Sequence, residues 1–387
     1  MKRAAEGSSI KLQRIELKGF KSIDGRIGQM IPFGDITVML GANGSGKSNI
    51  VSFFKMLNSM MTHAFQNYVG KHGVQQLLFY GPRTTESIFF SLFLSSEEED
   101  YTYETRLSYG LPDRLFVSGE KVSCLRKGET SSEEFFLESG GAELRIGKDE
   151  RATSRSLFQF LSSIRAYQFH DTSDTAKIKS RGYVDDAAYL RSDAGNLAAF
   201  LKMLKEHPKY SRYYDRIVRH IQCVMPQFSD FSLLGVPGKE RYVRLNWTDS
   251  LGGDYLFGPD QISDGSLRFM ALTTLLLQPP ALLPKFIVLD EPELGLHPAA
   301  IPHLAGMIRM ASQNAQILAA TQSMQLVDEF DPEHLLIVER DEKNSCSIFR
   351  KLDSEHLKEW LARYNLSDAR VRSTPPLGSG QTGLGVS

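Results

Sequence analysis

Cysteine is scarce in this chain of 387 residues: three occur, at positions 124, 223 and 346, with no CxxC pair. That excludes a disulfide framework and a cysteine-built zinc site, and assigns all three to ordinary packing in a reducing compartment. No apolar run approaches the ~20 residues that a membrane-crossing helix needs. The opening Met1-Lys2-Arg3-Ala4-Ala5-Glu6-Gly7-Ser8-Ser9 has no apolar core of a signal peptide. Excess charge is missing too: 45 Lys and Arg stand against 46 Asp and Glu, a formal net charge of -1. A chain-wide basic field for nucleic acid is thereby excluded, while a local basic groove stays open. Internal repeats and long heptad arrays are absent. The expectation is a soluble, cytoplasmic protein, with 41% hydrophobic residues to build a sizeable core.

What is present begins with Gly41-Ala42-Asn43-Gly44-Ser45-Gly46-Lys47-Ser48, followed by Asn49. The apolar run Ile36-Thr37-Val38-Met39-Leu40 before it reads as a buried strand, and 49–57 has apolar residues at helical spacing. Strand, glycine loop and helix make the GxxxxGK[ST] pattern credible as a phosphate cradle. Glycines let backbone N–H groups approach phosphate oxygens, and a helix N-terminus adds partial positive charge. Lys47 is expected to reach the β- and γ-phosphates, and the Ser48 hydroxyl to ligate Mg²⁺.

Around this loop the chain divides, on its patterning, into four stretches. Residues 1–170 form a nucleotide-binding lobe: an alternating strand from Ile10 to Phe20, the P-loop, and short strand-like runs from Glu86 to Ile146 that read as an antiparallel meander. The acidic run Glu97-Glu98-Glu99-Asp100 is expected at a hairpin tip. Residues 171–280 read as mainly helical, with 196–225 interrupted at Pro208, a β-like piece from Arg241 to Trp247, and a helix from Gly265 to Leu277. Residues 281–370 complete the P-loop core, and 371–387 read as a disordered tail rich in Gly, Ser, Thr and Pro.

The second half of the site is Lys285-Phe286-Ile287-Val288-Leu289-Asp290-Glu291-Pro292. A buried strand delivers two adjacent carboxylates at its carboxyl end, where ligands sit in α/β sheets. Asp290 is expected to hold Mg²⁺, and Glu291 to polarise the water that attacks the γ-phosphate. A strand ending in a capped turn is the alternative for the pair alone. Upstream, Ser263-Asp264-Gly265-Ser266 precedes a helix. It reads either as an N-cap or as a second anion site.

With these motifs in this order, residues 10 to 365 resemble the ATP-binding-cassette ATPases of the RecF, SMC and OLD-like group, in the version without a long coiled coil. Leu17-Lys18-Gly19-Phe20-Lys21-Ser22 resembles that group's opening segment. Ser263-Asp264-Gly265-Ser266 resembles its signature motif, with Asp264 where glycine is usual. Glu293-Leu294-Gly295-Leu296-His297-Pro298 resembles its D-loop. The resemblance implies an α/β fold: an ABC-ATPase head with a mixed P-loop sheet, an antiparallel β meander and a helical signature lobe. It also implies ATP and Mg²⁺ as ligands and a homodimer with two ATP sites, in which Ser263 and Gly265 serve the opposite subunit's γ-phosphate. Lys21 approaches the nucleotide in that scheme, and Gln168 is either a metal-coupling Q-loop glutamine or a structural strand-end residue. His170 with Asp171 reads as a hydrogen-bonded strand terminus, and His297 is placed towards a dimer interface.

One departure stands out. Where the group has a switch histidine, this chain has Thr321-Gln322-Ser323. Glutamine donates a hydrogen bond but carries no charge, so turnover is expected to be modest and free of a titrating switch. The long coiled coil of SMC proteins and the TOPRIM nuclease domain of OLD proteins are both missing. Past Tyr364 fewer than 25 residues remain, so a nuclease is expected only in trans. Two functions follow: a regulatory ATPase controlling a separate effector in antiphage defence or genome maintenance, or a RecF-like clamp acting on DNA directly.

Overall fold

The computed structural model describes residues 10–352 apart from 237, 253–254 and 342, together with 355–356 and 360. The expected tail at 371–387 lies outside them. Two six-stranded sheets dominate. The central sheet runs Cys346–Arg350, Leu335–Asp341, Ile36–Leu40, Gln316–Thr321, Phe286–Asp290 and Arg165–Tyr167 from edge to edge. Its strands are parallel except the first, which returns antiparallel on its neighbour. The other sheet is antiparallel throughout and joins the hairpin Lys11–Lys18 and Gln29–Pro32 to the meander Ser87–Ser95, Glu99–Gly110, Arg114–Arg126 and Glu133–Phe136.

The unbroken apolar runs of the central strands have a simple cause: each is covered on both faces. Ile36, Val38, Leu40, Ile287, Leu289, Ile317 and Ala319 enter a core shared with the helices Leu197–Glu206, Ser211–Val224, Asp264–Leu277 and Ile301–Ala311. Their sequence neighbours Met39, Phe286, Val288, Leu318 and Ala320 point the other way, into a core shared with the P-loop helix Lys47–Met61 and the meander sheet. That helix is wedged between the two sheets by its aromatics. Phe54 stacks on Phe286 at 4.9 Å and Phe53 meets Phe90 edge-on at 5.3 Å. The buried Gln316 carboxamide ties the sheets directly: it accepts from the Leu12 N–H at 2.7 Å and donates to the Leu12 carbonyl at 2.8 Å.

The expected architecture is present, with two local corrections. The stretch from Arg241 to Trp247 is not one strand. Lys239–Val243 pairs with Gly182–Tyr183 and Gly235–Val236, whereas Asn246–Asp249 pairs with Phe228–Ser232 and Leu256–Phe257. The break lies where the Asn246 N–H folds back onto the Arg244 carbonyl at 2.9 Å, while Val243, Leu245 and Trp247 all stay in the core. The acidic run is a tip only at Glu97 and Glu98; Glu99 opens the next strand and accepts a hydrogen bond from Tyr101 at 2.7 Å. Cys124 and Cys346 are buried and Cys223 is exposed, all as free thiols.

Candidate nucleotide site

The carboxyl ends of three neighbouring parallel strands lie level, Leu40 beside Thr321 and Ala320 beside Asp290. Each strand therefore hands its next residues to one place: the P-loop, Gln322 and Glu291. The loop's shape demands glycine. Gly44 and Gly46 have φ of 77° and 118°, conformations that side chains rarely adopt. A Cβ on Gly41 would lie 2.2 Å from the Val338 carbonyl and one on Gly46 2.1 Å from Ser347 Oγ, while Gly44 faces open space.

A chain of hydroxyls braces the loop from beneath. Ser347 Oγ donates to the Ser45 carbonyl, so Ser22 Oγ must supply the proton of its 2.6 Å contact with Ser347. That leaves a Ser22 lone pair for Asn49 Nδ2, also at 2.6 Å. Ser347 was invisible as a site residue in the sequence, since it comes from the far end of the chain with no motif around it. Lys21 stands next to this brace at φ 51°, its N–H on the Leu77 carbonyl at 2.9 Å. Burial, and then the charge of Lys55, lower its pKa. With Ser22, Asn49, Tyr80 and Arg340 it lines an open cleft of about 370 Å³ beside the P-loop.

Lys47 is buried and donates to the Gly41 carbonyl and, at 3.0 Å, to that of Ala42. Its pKa is lowered by burial, against which Glu291, Asp290 and Glu293 pull it upward. The two halves of the motif set thus meet in one electrostatic unit. Glu291 sits at φ 44°, in the left-handed region that a non-glycine residue occupies only where its surroundings enforce it. Here the Glu291 N–H bonds the Ala320 carbonyl at 2.8 Å, and Gln322 Nε2 donates to Glu291 Oε1 at 3.2 Å. The switch-position glutamine is therefore in contact with the candidate general base.

Gln168 lies on the opposite flank. Its Oε1, the atom that would face a cation, accepts from Lys55 Nζ at 2.8 Å, and its Nε2 donates to His170 Nδ1 at 3.2 Å. His170 in turn donates from Nε2 to the Asp290 carbonyl at 2.9 Å, which defines its tautomer. The Lys55 ammonium is lowered in pKa by burial, with Asp290 opposing. Among the described residues no group of three His, Cys, Asp or Glu could hold a metal ion by itself.

Ser263 caps the helix Asp264–Leu277: its Oγ accepts from the Ser266 N–H at 3.2 Å and donates to Ser266 Oγ at 2.9 Å. Asp264 has the buried ammonium of Lys179 at 3.6 Å. Gly265 is required by packing, since a Cβ there would lie 2.2 Å from the Gly295 carbonyl. Arg268, one turn on, ties three segments together. It donates to the carbonyls of Leu294 at 3.0 Å and His170 at 2.9 Å, and to Thr172 Oγ1 at 3.2 Å. His297 accepts from the Ala299 N–H at 3.2 Å and caps a short 3-10 turn.

Sequence reasoning missed Glu293. It is buried, 9% exposed, and its Oε1 accepts from Thr321 Oγ1 while its Oε2 has no partner. Burial raises its pKa to about 6, and nearby Glu291 adds to the rise. In the sequence it is a third acid after Asp290-Glu291-Pro292 that opens the D-loop-like segment, and nothing in the pattern says that this acid faces inward.

A glycine-rich P-loop and two strand-end carboxylates lie on a mostly parallel sheet covered by an antiparallel one, and this is the fold of SMC heads. The chain belongs to the family described as "AAA domain, putative AbiEii toxin, Type IV TA system", whose model matches residues 36–328. No curated protein sequence matches the chain. Among solved structures it is similar to an SMC head bound to the C-terminal winged-helix domain of ScpA, at 17% identity and a TM-score of 0.57, covering 90% of this chain and 99% of that one. It is also similar to the Pyrococcus furiosus Smc head domain with an extended coiled coil bound to the C-terminal domain of ScpA. There the identity is 17% and the TM-score 0.53, over 92% of this chain and 100% of that one. At that identity the shared property is the fold. No helix among the described residues is long and apolar enough to cross a membrane.

Proposed function

We propose that the chain binds ATP with Mg²⁺ and hydrolyses it within a head-to-tail homodimer, and that closure on ATP controls a separate protein effector in antiphage defence or genome maintenance. The observation that carries the ATPase reading is the meeting of Lys47, Asp290, Glu291 and Gln322 at level strand ends. The residues fit the ligands. Gly44 leaves room above the loop, and the Lys47 ammonium rests on two carbonyls that phosphate oxygens can replace. Mg²⁺, when bound with the nucleotide, neutralises phosphate charge, and Ser48 and Asp290 would hold it.

Lys47 reaches the β- and γ-phosphates, and Asn43–Asn49 present backbone N–H groups and the helix terminus to them. Glu291 accepts the proton of the attacking water, while the Gln322 carboxamide keeps the Glu291 carboxylate oriented without carrying charge. Lys21 approaches the nucleotide from the adjoining cleft. Gln168 would help to hold the metal with its Oε1, the atom that now accepts from Lys55. Ser263 and Gly265 face the γ-phosphate of the opposite subunit. Lys179 beside Asp264 offsets the negative charge that this signature motif would otherwise present.

Two observations support an effector in trans: similar SMC heads bind a separate protein, ScpA, and the family description names a toxin–antitoxin system. A TOPRIM-type nuclease is the effector proposed. The test is mass spectrometry of whatever co-purifies with tagged Glu291→Gln protein from its native cells, alongside ATPase assay of the wild type. A stoichiometric nuclease-like partner supports the reading. DNA alone would favour the second reading, a RecF-like clamp. That clamp has one observation on its side, an open cleft lined by Lys55, Arg165, Lys177 and Arg191. Wild-type protein without Mg²⁺-dependent hydrolysis would overturn the ATPase reading itself.

A further inference from the structure

The Glu291–Gln322 contact joins two loop segments that backbone bonding holds only as far as the Glu291 N–H on the Ala320 carbonyl at 2.8 Å. One buried pair does span them. The Ser323 N–H donates to Thr321 Oγ1 at 2.9 Å, and the Thr321 hydroxyl passes its own proton to Glu293 Oε1. With Glu293 ionised the direction is set, because a carboxylate can only accept and the hydroxyl holds the one proton between them. Thr321 is fully buried and Glu293 nearly so, in the low-dielectric surroundings where such a bond is strong and its loss expensive. Glu291 lies two residues before one end of this link, and Gln322 one residue after the other.

We propose that Glu293 is a positioning residue for hydrolysis: its bond to Thr321 is a buried strut that holds the Glu291 carboxylate and the Gln322 carboxamide together. The inference rests on the ATPase reading above. The strut acts on the reacting geometry, whereas Ser347 and Ser22 brace the P-loop and Lys47 rests on the Gly41 and Ala42 carbonyls; Glu293 acts on Lys47 through its charge, which Thr321→Val leaves in place. Breaking it at Thr321 therefore lowers kcat and spares nucleotide affinity. Glutamine at 293 keeps an oxygen to accept the Thr321 proton, and serine at 321 keeps the hydroxyl that donates it, so both conserve the strut.

The experiment compares Glu293→Ala, Thr321→Val, their double variant, Glu293→Gln and Thr321→Ser, reading kcat for ATP and the Kd of a fluorescent ATP analogue. Glu293→Ala and Thr321→Val each should lower kcat by about ten- to a hundred-fold, the scale on which misplaced groups lose rate. In Thr321→Val the Kd should stay within about two-fold, because the phosphate contacts are separate and the Glu293 charge near Lys47 is kept. The double variant should be no worse than either single one, the signature of one shared interaction. Glutamine and serine should restore most of the rate. An unchanged kcat in Glu293→Ala overturns the strut, as do multiplying effects in the double variant or a Kd of Thr321→Val that weakens in step with kcat. If Glu293→Ala fails to fold, Thr321→Val and its serine rescue decide the matter alone. Wild-type protein without turnover removes the ATPase reading and the strut with it, an outcome distinct from an active enzyme indifferent to position 293.

Discussion

Replacing Glu293 by glutamine should change how stability depends on pH. Burial lifts the carboxyl from an ordinary value near 4.5 to about 6. Between those values the folded protein holds a proton that the unfolded chain has released. Stability contributed by this group is thus complete below the unfolded pKa and is lost as pH rises through the folded one. At about 1.4 kcal/mol per pH unit, the full loss is about 2 kcal/mol once the group is ionised in both states. Glutamine has nothing to ionise, so its variant escapes that loss. Its unmatched buried amide brings a penalty of its own, but one independent of pH. The quantity to measure is therefore the stability difference between variant and wild type, by urea melts without nucleotide and with EDTA, at about pH 4.5 and about pH 7.5. Most of the window lies between these two, and the difference should move by about 1.5 kcal/mol in favour of glutamine. A difference that stays constant, or moves the other way, refutes the buried raised carboxyl.

Three further outcomes follow from the same geometry. Glu291→Gln should cut hydrolysis by about 10²- to 10⁴-fold while nucleotide stays bound; light scattering with ATP and Mg²⁺ should then find a dimer, and a monomer would count against the sandwich arrangement. Gln322→Ala should slow hydrolysis through a less ordered Glu291 without changing the shape of the pH–rate profile; a limb near about pH 6.5 in the wild type that disappears in the variant would contradict a non-titrating switch. Gly46→Ala forces a side chain to φ 118° and 2.1 Å from Ser347 Oγ. It should cost about 2 kcal/mol or more and abolish binding of a fluorescent ATP analogue, and a variant with wild-type melting and affinity would show that the loop does not need this glycine.

Much of this was legible without coordinates because it is local. The P-loop is written in glycines whose positive φ the backbone demands at the point where a strand turns into a helix. The runs Ile36–Leu40 and Phe286–Asp290 are continuously apolar because both faces of the central sheet are covered, which a linear pattern records faithfully. The interruption at Pro208 and the cap at Ser263 are likewise written in neighbouring residues. Other features depend on which strands become neighbours, and no window of sequence contains that. Gln316 meets Leu12 across 304 residues and Ser347 braces Ser45 across 302. What alternation alone presents as one strand from Arg241 to Trp247 is split because its two halves pair with different strands. In Asp290-Glu291-Pro292-Glu293 the letters supply three acids without saying which is buried. Only the return of the strand Gln316–Thr321 between the P-loop strand and Phe286–Asp290 brings the Thr321 hydroxyl to Glu293 and Gln322 to Glu291. Local sequence specified the glycine-rich P-loop, whereas the packed sheet chose the partners of the nearby acids, because burial and hydrogen bonding belong to the neighbours that folding provides.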